Sequence, residues 1–153
     1  MPVTIEQMRT RLSELRVHGH ERCVVCAPSH PLGLRIEYHV CAEGVVEAEF
    51  TCADLFQGYP GQLHGGVITS LLDGAMTNCL FAHGIEAVTA ELTVRFLRPV
   101  LTDRIAAVNA RLSSAFRRLY VLEAELIQDD MEAARAQGKF LRRAPGVPDA
   151  ALQ

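Results

Sequence analysis

The sequence lacks three features that would assign it to a broad class at once: a long hydrophobic run, an excess of basic side chains and regularly paired cysteines. Its best apolar segment is bordered by His64 and interrupted by Asp73, so it falls short of the roughly 18–20 residues of a membrane span. The 15 basic and 18 acidic side chains leave a formal net charge of −3, which argues against non-specific nucleic-acid binding. We therefore expect neither a membrane nor a nucleic-acid partner.

The five cysteines are an odd number, and only Cys23 and Cys26 are closely spaced. Because the first 16 residues are too polar for a secretory signal, we expect thiols rather than a disulfide framework, and a cytoplasmic location. Together with His18 and His20, these two cysteines are a plausible soft-ligand set for zinc. A second Cys-x-x-Cys is missing, however, so we expect a turn of small buried thiols and no metal.

A chain of 153 residues, 49% hydrophobic and 22% charged, has the size and composition of one globular domain. We assign residues 1–19 to an N-terminal helix and lead-in, residues 20–144 to a single domain, and residues 145–153 to a disordered tail. No internal repeat or second domain is visible in the sequence.

Hydrophobic periodicity predicts two helices and six strands. The first helix covers 4–16, with Thr4 and Gln7 at the spacing of a capping box, and a second helix of about 17 residues runs from Val67 to about His83. The predicted strands are 34–40, 44–52, 87–97, 103–113, 118–128 and 132–142, the last of which is also compatible with a helix by propensity. This order indicates an α+β fold, in which an antiparallel sheet surrounds a helix that is apolar almost all round.

The segment GQLHGGVITSLLDGAMTNCLF, residues 61–81, places the carboxylate of Asp73 in an apolar helix, where an ionised group is costly to bury. On a helix, Thr69, Ser70 and Thr77 lie three or four positions from it, so these side chains form one narrow polar stripe. Such surroundings favour a raised pKa and hydroxyl partners for the carboxylate. The alternative is a buried aspartate that hydrogen-bonds to a neighbouring loop.

The same segment begins with His64, Gly65 and Gly66. A helix N-terminus presents unpaired N–H groups and the positive end of the dipole, which suit an oxygen that gains negative charge. Glycines allow a ligand carbonyl to approach the backbone closely. Gly65 and Gly66 are thus candidates for the oxyanion hole of an acyl-transfer site, with Asp73 as nucleophile or base. The alternative is a tight turn capped by the imidazole.

The spacing of these groups predicts an oligomer. Gly65 and Asp73 are eight residues apart, or about 12 Å along one helix, whereas catalytic contacts need about 3 Å. Two such helices packed antiparallel across a two-fold axis would bring Gly65 of one chain to Asp73 of the other. A catalytic site here therefore predicts a symmetric dimer with two shared sites.

The stretches FQGYPGQLHGGVITSLLDGAM and AVTAELTVRFLRPV resemble the hotdog-fold acyl-CoA thioesterase superfamily, in particular its PaaI-like branch. The family's His-Gly-Gly motif, with an acidic residue nine positions after the histidine, is matched by His64, Gly65, Gly66 and Asp73. The resemblance covers roughly residues 20–143. It implies a long central helix wrapped by a curved antiparallel sheet of five to six strands, which dimerises through the sheet and often forms a dimer of dimers.

The resemblance also implies the hydrolysis of an acyl-CoA thioester to a free acid and CoA, with no cofactor apart from the CoA of the substrate. Asp73 would act as nucleophile or general base, the Gly65 N–H would polarise the thioester carbonyl, His64 would shape the turn, and Thr89 would assist the water. A non-catalytic acyl-CoA-binding or regulatory protein of the same fold is the alternative. The hydratase branch is disfavoured, because no Asp in this chain has a His five residues later.

One position departs from the family pattern. Several relatives carry an Asn six residues before the motif histidine, where this chain has Gly58, and Gln57 or Gln62 is the candidate to take over its contact. The full set of predicted substrate-binding residues is Gly66, Gln57, Gly58, Thr69, Ser70, Thr77, Arg95 and Arg98. The two arginines are included because the guanidinium fork suits the phosphates of CoA.

Overall fold

In the computed structural model, which describes residues 2–144, the chain forms two α-helices, a short 3₁₀ helix and six β-strands. The helices are α1 (Ile5–Gly19) and α2 (Gly65–Ala82), and the 3₁₀ helix is Asp54–Phe56. The strands are β1 (His39–Ala42), β2 (Val45–Thr51), β3 (Ala87–Phe96), β4 (Ile105–Phe116), β5 (Leu119–Gln128) and β6 (Met131–Arg142). The predicted disordered tail, 145–153, lies outside the described residues.

All neighbouring strands are antiparallel and form one sheet in the order β1-β2-β4-β5-β6-β3, so β1 and β3 are its edges. Helix α2 packs against five of the strands, β2, β3, β4, β5 and β6. A single helix that contacts five strands requires the sheet to bend around it. The predicted hotdog fold, with a long central helix and an antiparallel sheet, is confirmed.

Helix α2 is central because its apolar side chains point in all directions. Leu71, Leu72, Ala75, Met76 and Leu80 have no exposed surface, and they belong to one core with residues from the sheet. A helix with a polar face could not be enclosed in this way without leaving polar groups unpaired. Neither helix in residues 2–144 is long and apolar enough to span a bilayer.

Helix α1 joins the same core. Met8 and Leu12 are buried, and α1 packs against α2 and β1. The predicted capping box is confirmed: the Gln7 amide donates to Thr4 Oγ1 at 3.2 Å, and the Thr4 amide donates to Gln7 Oε1 at 2.9 Å. The helix ends at Gly19, three residues later than predicted.

The first predicted strand, 34–40, was wrong in its position, since β1 begins only at His39. The cause lies in the preceding loop: the amide of Leu34 donates to the Val24 carbonyl and that of Ile36 to the Val25 carbonyl, both at 2.8 Å. These amides are therefore engaged outside the sheet. The other five strands lie within three residues of their predicted bounds. The segment 132–142, whose propensity was also compatible with a helix, forms strand β6.

Candidate active site

Helix α2 starts with an imidazole cap. His64 is its N-cap residue, with φ −63° and ψ 136°, and the ring Nδ1 accepts a hydrogen bond from the Gly66 amide at 2.8 Å. A Cβ on Gly66 would lie 3.0 Å from that nitrogen, so only glycine fits without displacing the ring. The cap replaces the usual Ser, Thr or Asp and lets the helix begin two residues earlier than predicted.

The first amide of the helix is left open. The Gly65 N–H has no hydrogen-bond partner among the described residues, whereas the neighbouring Gly66 N–H is held by His64. An unpaired N–H at the positive end of an 18-residue helix can donate a hydrogen bond to an anionic oxygen. Of the two predicted oxyanion-hole donors, only Gly65 is therefore available without rearrangement.

A cavity of about 660 Å³ opens beside this amide. Its walls come from the loop before α2, from the first turn of α2 and from the end of β3 with the segment that follows. Tyr59, Phe96 and Leu97 line it and expose 81%, 55% and 45% of their surface. The Phe96 ring would lie 3.5 Å from a Cβ on Gly65, so the apolar wall reaches the open amide. The cavity thus combines a hydrogen-bond donor with apolar surface.

The loop that forms one wall is held by its own polar groups. Gln57 Oε1 accepts from the Gly61 amide at 3.1 Å, and the Gly58 amide donates to the Gln62 carbonyl at 2.9 Å. A Cβ on Gly58 would lie 3.3 Å from the His64 ring, so the absence of a side chain there lets the capping imidazole sit close. Gly58 and Gln62 line the cavity, whereas the Gln57 side chain is used within the loop.

Asp73 lies in the third turn of α2 and is half-buried. Its Oδ1 accepts a hydrogen bond from Thr89 Oγ1 on β3 at 2.8 Å. Burial is the main cause that raises the pKa of this carboxyl above its usual value, and the nearby Cys23 sulfur acts in the same direction. The Thr89 hydrogen bond and His20 both lower the pKa. The carboxyl is thus held in one orientation with a proton affinity increased by its surroundings.

The predicted polar stripe does not serve Asp73. Thr69 Oγ1 donates to the Gly65 carbonyl and Ser70 Oγ to the Gly66 carbonyl, each at 2.9 Å. Thr77 is buried, with 9% of its surface exposed. Short hydroxyl side chains in a helix commonly bond back to the carbonyl four residues earlier. The interpretation that the stripe supplies hydroxyl partners to the carboxylate was therefore wrong for Thr69 and Ser70.

The two predicted phosphate-binding arginines are exposed and lie in different places. Arg98 lines the cavity next to Gly65. Arg95 instead lines a second depression, of about 650 Å³, on the polar face of the sheet, together with Arg111, Arg135 and Glu123. Arg111 donates there to Glu123 at 2.7 Å, so part of that charge is already paired. Only Arg98 shares the cavity with the open amide.

Three residues of the predicted soft-ligand set come together. The donor atoms of His20, Cys23 and Cys26 all lie within 4.8 Å of one another, whereas His18 is exposed at the end of α1 and is not part of this group. The loop that carries the two cysteines packs on α2 next to Asp73, since a Cβ on Gly74 would lie 2.7 Å from Val25.

Residues Tyr59, Phe96 and Leu97 were not predicted to line the site. Phe96 and Leu97 reach the site because the end of β3 lies against the start of α2, about 30 positions away in the sequence. The one local signal is an unusual pair of exposed apolar side chains, Phe96 and Leu97, directly before Arg98 and Pro99.

Comparison with known proteins places this geometry in context. A family model described as the thioesterase superfamily matches residues 60–134. The acyl-coenzyme A thioesterase THEM4 of Bos taurus is 27% identical over 150 residues, which cover 94% of this chain and 57% of the relative. The chain therefore spans little more than half the length of that relative, and 40% of the length of its counterpart in Rattus norvegicus.

Two solved structures are similar over most of the described chain. A conserved protein from Pseudomonas aeruginosa is 31% identical with a TM-score of 0.65, covering 72% of this chain and 90% of the other. The PaaI protein of the E. coli phenylacetic acid degradation operon is 22% identical with a TM-score of 0.76, covering 90% of this chain and 96% of the other. At 22% identity, the similarity to the PaaI protein shows a shared fold.

Proposed function

We propose that the chain is a hotdog-fold thioesterase of the PaaI-like branch and that it hydrolyses an acyl-CoA thioester to a free carboxylic acid and CoA. The thioesterase-superfamily model that matches residues 60–134 and the fold shared with the PaaI protein support this proposal. The observation that carries this proposal is the unpartnered Gly65 N–H at the start of α2, next to a cavity with an apolar wall. A donor at this place would bind the thioester carbonyl and stabilise the negative oxygen that forms when the carbonyl carbon is attacked.

Asp73 is the group that would drive the attack. As a nucleophile, its carboxylate would add to the thioester carbon and expel CoA as the thiolate, which takes a proton from solvent; water would then hydrolyse the mixed anhydride and regenerate the carboxylate. As a general base, it would instead take a proton from the attacking water and return it to the departing sulfur, so that CoA leaves as the thiol and the carboxylate is regenerated. The pKa raised by burial supports the general-base role, because a more basic carboxylate is the better proton acceptor.

The Thr89 hydroxyl supports both routes by fixing the carboxylate. Its hydrogen bond engages Oδ1 at 2.8 Å, whereas Oδ2 accepts no hydrogen bond from a side chain of the described residues and would be the oxygen that reacts. The hydroxyl oxygen can also accept a hydrogen bond, so it is suited to orient a water beside the carboxylate.

The proposed site is shared between two subunits. Gly65 and Asp73 are separated by two turns of the same helix, so a substrate bound to one amide cannot meet the carboxylate of the same chain at about 3 Å. Strand β3, which carries Thr89, is an edge strand whose outer backbone groups have no strand partner in the described sheet. Pairing of β3 with its copy would join two sheets and bring two α2 helices side by side.

The substrate would enter with its acyl group toward the apolar wall and its CoA toward Arg98. Tyr59, Phe96 and Leu97 supply the apolar surface. Arg98 makes no ion pair with the described residues, so its guanidinium is available to a phosphate. Arg95, on the other face of the sheet, is a weaker candidate for the same substrate molecule.

The test is free-thiol release from a panel of short, long and aromatic acyl-CoA esters. Asp73→Asn should lower kcat by at least about a hundredfold, the usual contribution of a positioned acid–base group. The matched control is Asp130→Asn, because Asp130 is exposed in the β5–β6 turn at φ 61°, a conformation that asparagine tolerates. Unchanged turnover in Asp73→Asn would contradict the catalytic role, and saturable binding of acyl-CoA without thiol release would replace hydrolysis by a binding function.

A further inference from the structure

The cluster of His20, Cys23 and Cys26 is not needed for thioester chemistry, and its geometry calls for an explanation of its own. Cys26 Sγ lies 3.7 Å from His20 Nδ1, and all three donor atoms fall within 4.8 Å of one another. A tetrahedral ion with sulfur ligands at about 2.3 Å and a nitrogen ligand at about 2.1 Å separates its ligand atoms by roughly 3.5–3.8 Å. The cluster is thus close to the size of a metal-binding set.

Both ends of the cluster are fixed by the fold. His20 is the C-cap residue of α1, and its ring contacts the Phe81 ring of α2 edge-on with centroids 4.9 Å apart. The Cys23 amide donates to the His20 carbonyl at 3.1 Å, and the Ala27 amide donates to the Cys23 carbonyl at 3.0 Å. The ligand atoms therefore stay together without a bound ion, which reduces the entropy lost on binding.

The surroundings of Cys23 favour the thiolate, which is the form that binds a metal. Its sulfur accepts a hydrogen bond from the Val25 amide at 3.4 Å, and an N–H donor of this kind stabilises a negatively charged sulfur.

A buried polar atom beside the cluster lacks a partner. Asn78 of α2 has no exposed surface, its Nδ2 donates to the Gly74 carbonyl at 2.8 Å, and its Oδ1 accepts no hydrogen bond from the described residues. A Cβ on Gly74 would lie 2.7 Å from Val25, so this amide lies close to the loop that carries Cys23 and Cys26. An orphaned oxygen in a buried position is costly. A water bound to a metal at the fourth position is a group that would donate to it.

From this geometry we propose that His20, Cys23 and Cys26 form a structural site for a thiophilic divalent cation, zinc by preference, with water as the fourth ligand. The proposal reverses the expectation of a metal-free turn and is independent of the thioesterase assignment. A disulfide between the two cysteines would leave the imidazole nitrogen without a role, whereas a metal uses all three groups. Sulfur and imidazole ligands select zinc or cobalt over magnesium or calcium.

The role of the cation would be to fasten the loop after α1 to α2. Val25 and Tyr38 of this loop lie close to Gly74 of α2: a Cβ on Gly74 would be 2.7 Å from Val25 and 2.6 Å from the Tyr38 hydroxyl. The Tyr38 hydroxyl also donates a hydrogen bond to the Leu71 carbonyl at 2.9 Å. Gly74 is next to Asp73. The metal site would therefore stabilise the packing on the helix face that neighbours the carboxylate.

The test is a titration of the reduced, chelator-treated full chain with Co²⁺ followed by Zn²⁺. We expect the absorption of a tetrahedral thiolate–cobalt complex, saturation at about one ion per chain, and displacement by Zn²⁺. Zn²⁺ should also raise the thermal midpoint of the wild type. Cys23→Ser, at a half-exposed position, should lower the affinity at least about tenfold, and His20→Asn should do the same.

The controls are Cys41→Ser and His18→Asn, since both residues are exposed and lie outside the cluster. Their affinity for Co²⁺ should equal that of the wild type. Absence of the thiolate–cobalt absorption in the reduced wild type would overturn the proposal, and this readout does not depend on the folding of any variant. Equal affinity in wild type, Cys23→Ser and His20→Asn would overturn it as well.

Discussion

Thr89 Oγ1 on the edge strand β3 donates a hydrogen bond to Asp73 Oδ1 on the central helix, at 2.8 Å. The two residues are 16 positions apart, so the contact exists only because β3 returns alongside α2. It is the one side-chain hydrogen bond that the described residues offer to this carboxylate. The orientation and the proton affinity of Asp73 are thus tied to the position of a strand rather than to its own helix.

Removal of the Thr89 hydroxyl should make Asp73 a stronger base but a less well positioned one. The hydrogen bond lowers the carboxyl pKa against the larger effect of burial, so in Thr89→Val the pKa should rise. The acidic limb of the pH profile of kcat/KM should then move to higher pH. The plateau value of kcat/KM should fall about tenfold to a hundredfold, which corresponds to the free energy of one hydrogen bond to a charged group. The measurement is the pH dependence of thiol release.

Two variants control this prediction. Thr89→Ser keeps the hydroxyl and should restore the acidic limb. Thr93→Val changes an exposed threonine of the same strand that does not contact Asp73, and its profile should match the wild type. A Thr89→Val profile with an unshifted acidic limb would show that the hydrogen bond does not tune the carboxylate.

The open amide can be removed by a single substitution at Gly65. Proline is tolerated at the first position of a helix, where its missing N–H breaks no helical hydrogen bond. His64, with φ −63° and ψ 136°, already has the conformation that a residue before proline prefers. Gly65→Pro should therefore fold, yet lose the oxyanion donor.

The comparison variant is Gly65→Ala, which keeps the N–H and brings a Cβ to ordinary contact distance, 3.5 Å, from Phe96. We expect kcat of the proline variant to lie about 10²–10³-fold below that of the alanine variant, the cost of losing one oxyanion-hole donor. Circular dichroism checks that both are folded. Equal kcat values in the two variants would remove the Gly65 amide from the mechanism.

Part of this site could be predicted from the sequence because the relevant signals are local. The His-Gly-Gly start and the apolar run after it predict where α2 lies, and Asp73 stands out in that run by its charge. The hydroxyl partners could not be predicted in this way. Thr69 and Ser70 are near in sequence but bond to their own backbone, whereas Thr89 is distant and is brought to Asp73 by the sheet. Thr89 was named only through the family resemblance.

The misplaced first strand has a similar physical origin. The alternation in 34–40 is real, and Ile36, Tyr38 and Val40 are all buried. However, Arg35 has φ 55°, and the amides of this segment bond to the loop that carries Cys23 and Cys26. A pattern of burial therefore does not establish which backbone groups pair. That the carbonyls of Val24 and Val25 accept hydrogen bonds from this segment follows from the three-dimensional structure and has no signal in the sequence.

Asp73 should reduce the stability of the folded chain at neutral pH. Burial raises its folded pKa above the unfolded value of 3.8, so between the two values the folded state binds the proton more tightly, and stability falls as pH rises through this window. Above the folded pKa the carboxylate is ionised in both states and the full loss of stability remains. Asparagine cannot ionise and keeps an oxygen that accepts the Thr89 hydrogen bond.

We therefore expect Asp73→Asn to have a higher urea midpoint than the wild type near neutral pH, and the difference to shrink below the unfolded pKa. Urea unfolding followed by circular dichroism at several pH values measures this difference. Asp130→Asn, at an exposed turn position, should show no such pH dependence. A lower midpoint for Asp73→Asn at neutral pH would mean that the ionised carboxylate makes compensating contacts, in the dimer or elsewhere.

The division of the site between two subunits can be tested with two inactive variants. Asp73→Asn lacks the carboxylate and Gly65→Pro lacks the amide donor. If each site takes its amide from one chain and its carboxylate from the other, a mixed dimer has one intact site and one site without either group. Such a dimer, co-expressed with two different tags and purified through both, should have about half the wild-type activity per dimer.

If instead both groups acted within one chain, every site in the mixed dimer would lack one of them and no activity would return. The control is a dimer in which both differently tagged chains carry Asp73→Asn, which has no intact site in either arrangement. Recovery of activity in the mixed dimer alone would place Gly65 and Asp73 of different chains at one thioester, which is the arrangement that the eight-residue separation along α2 requires.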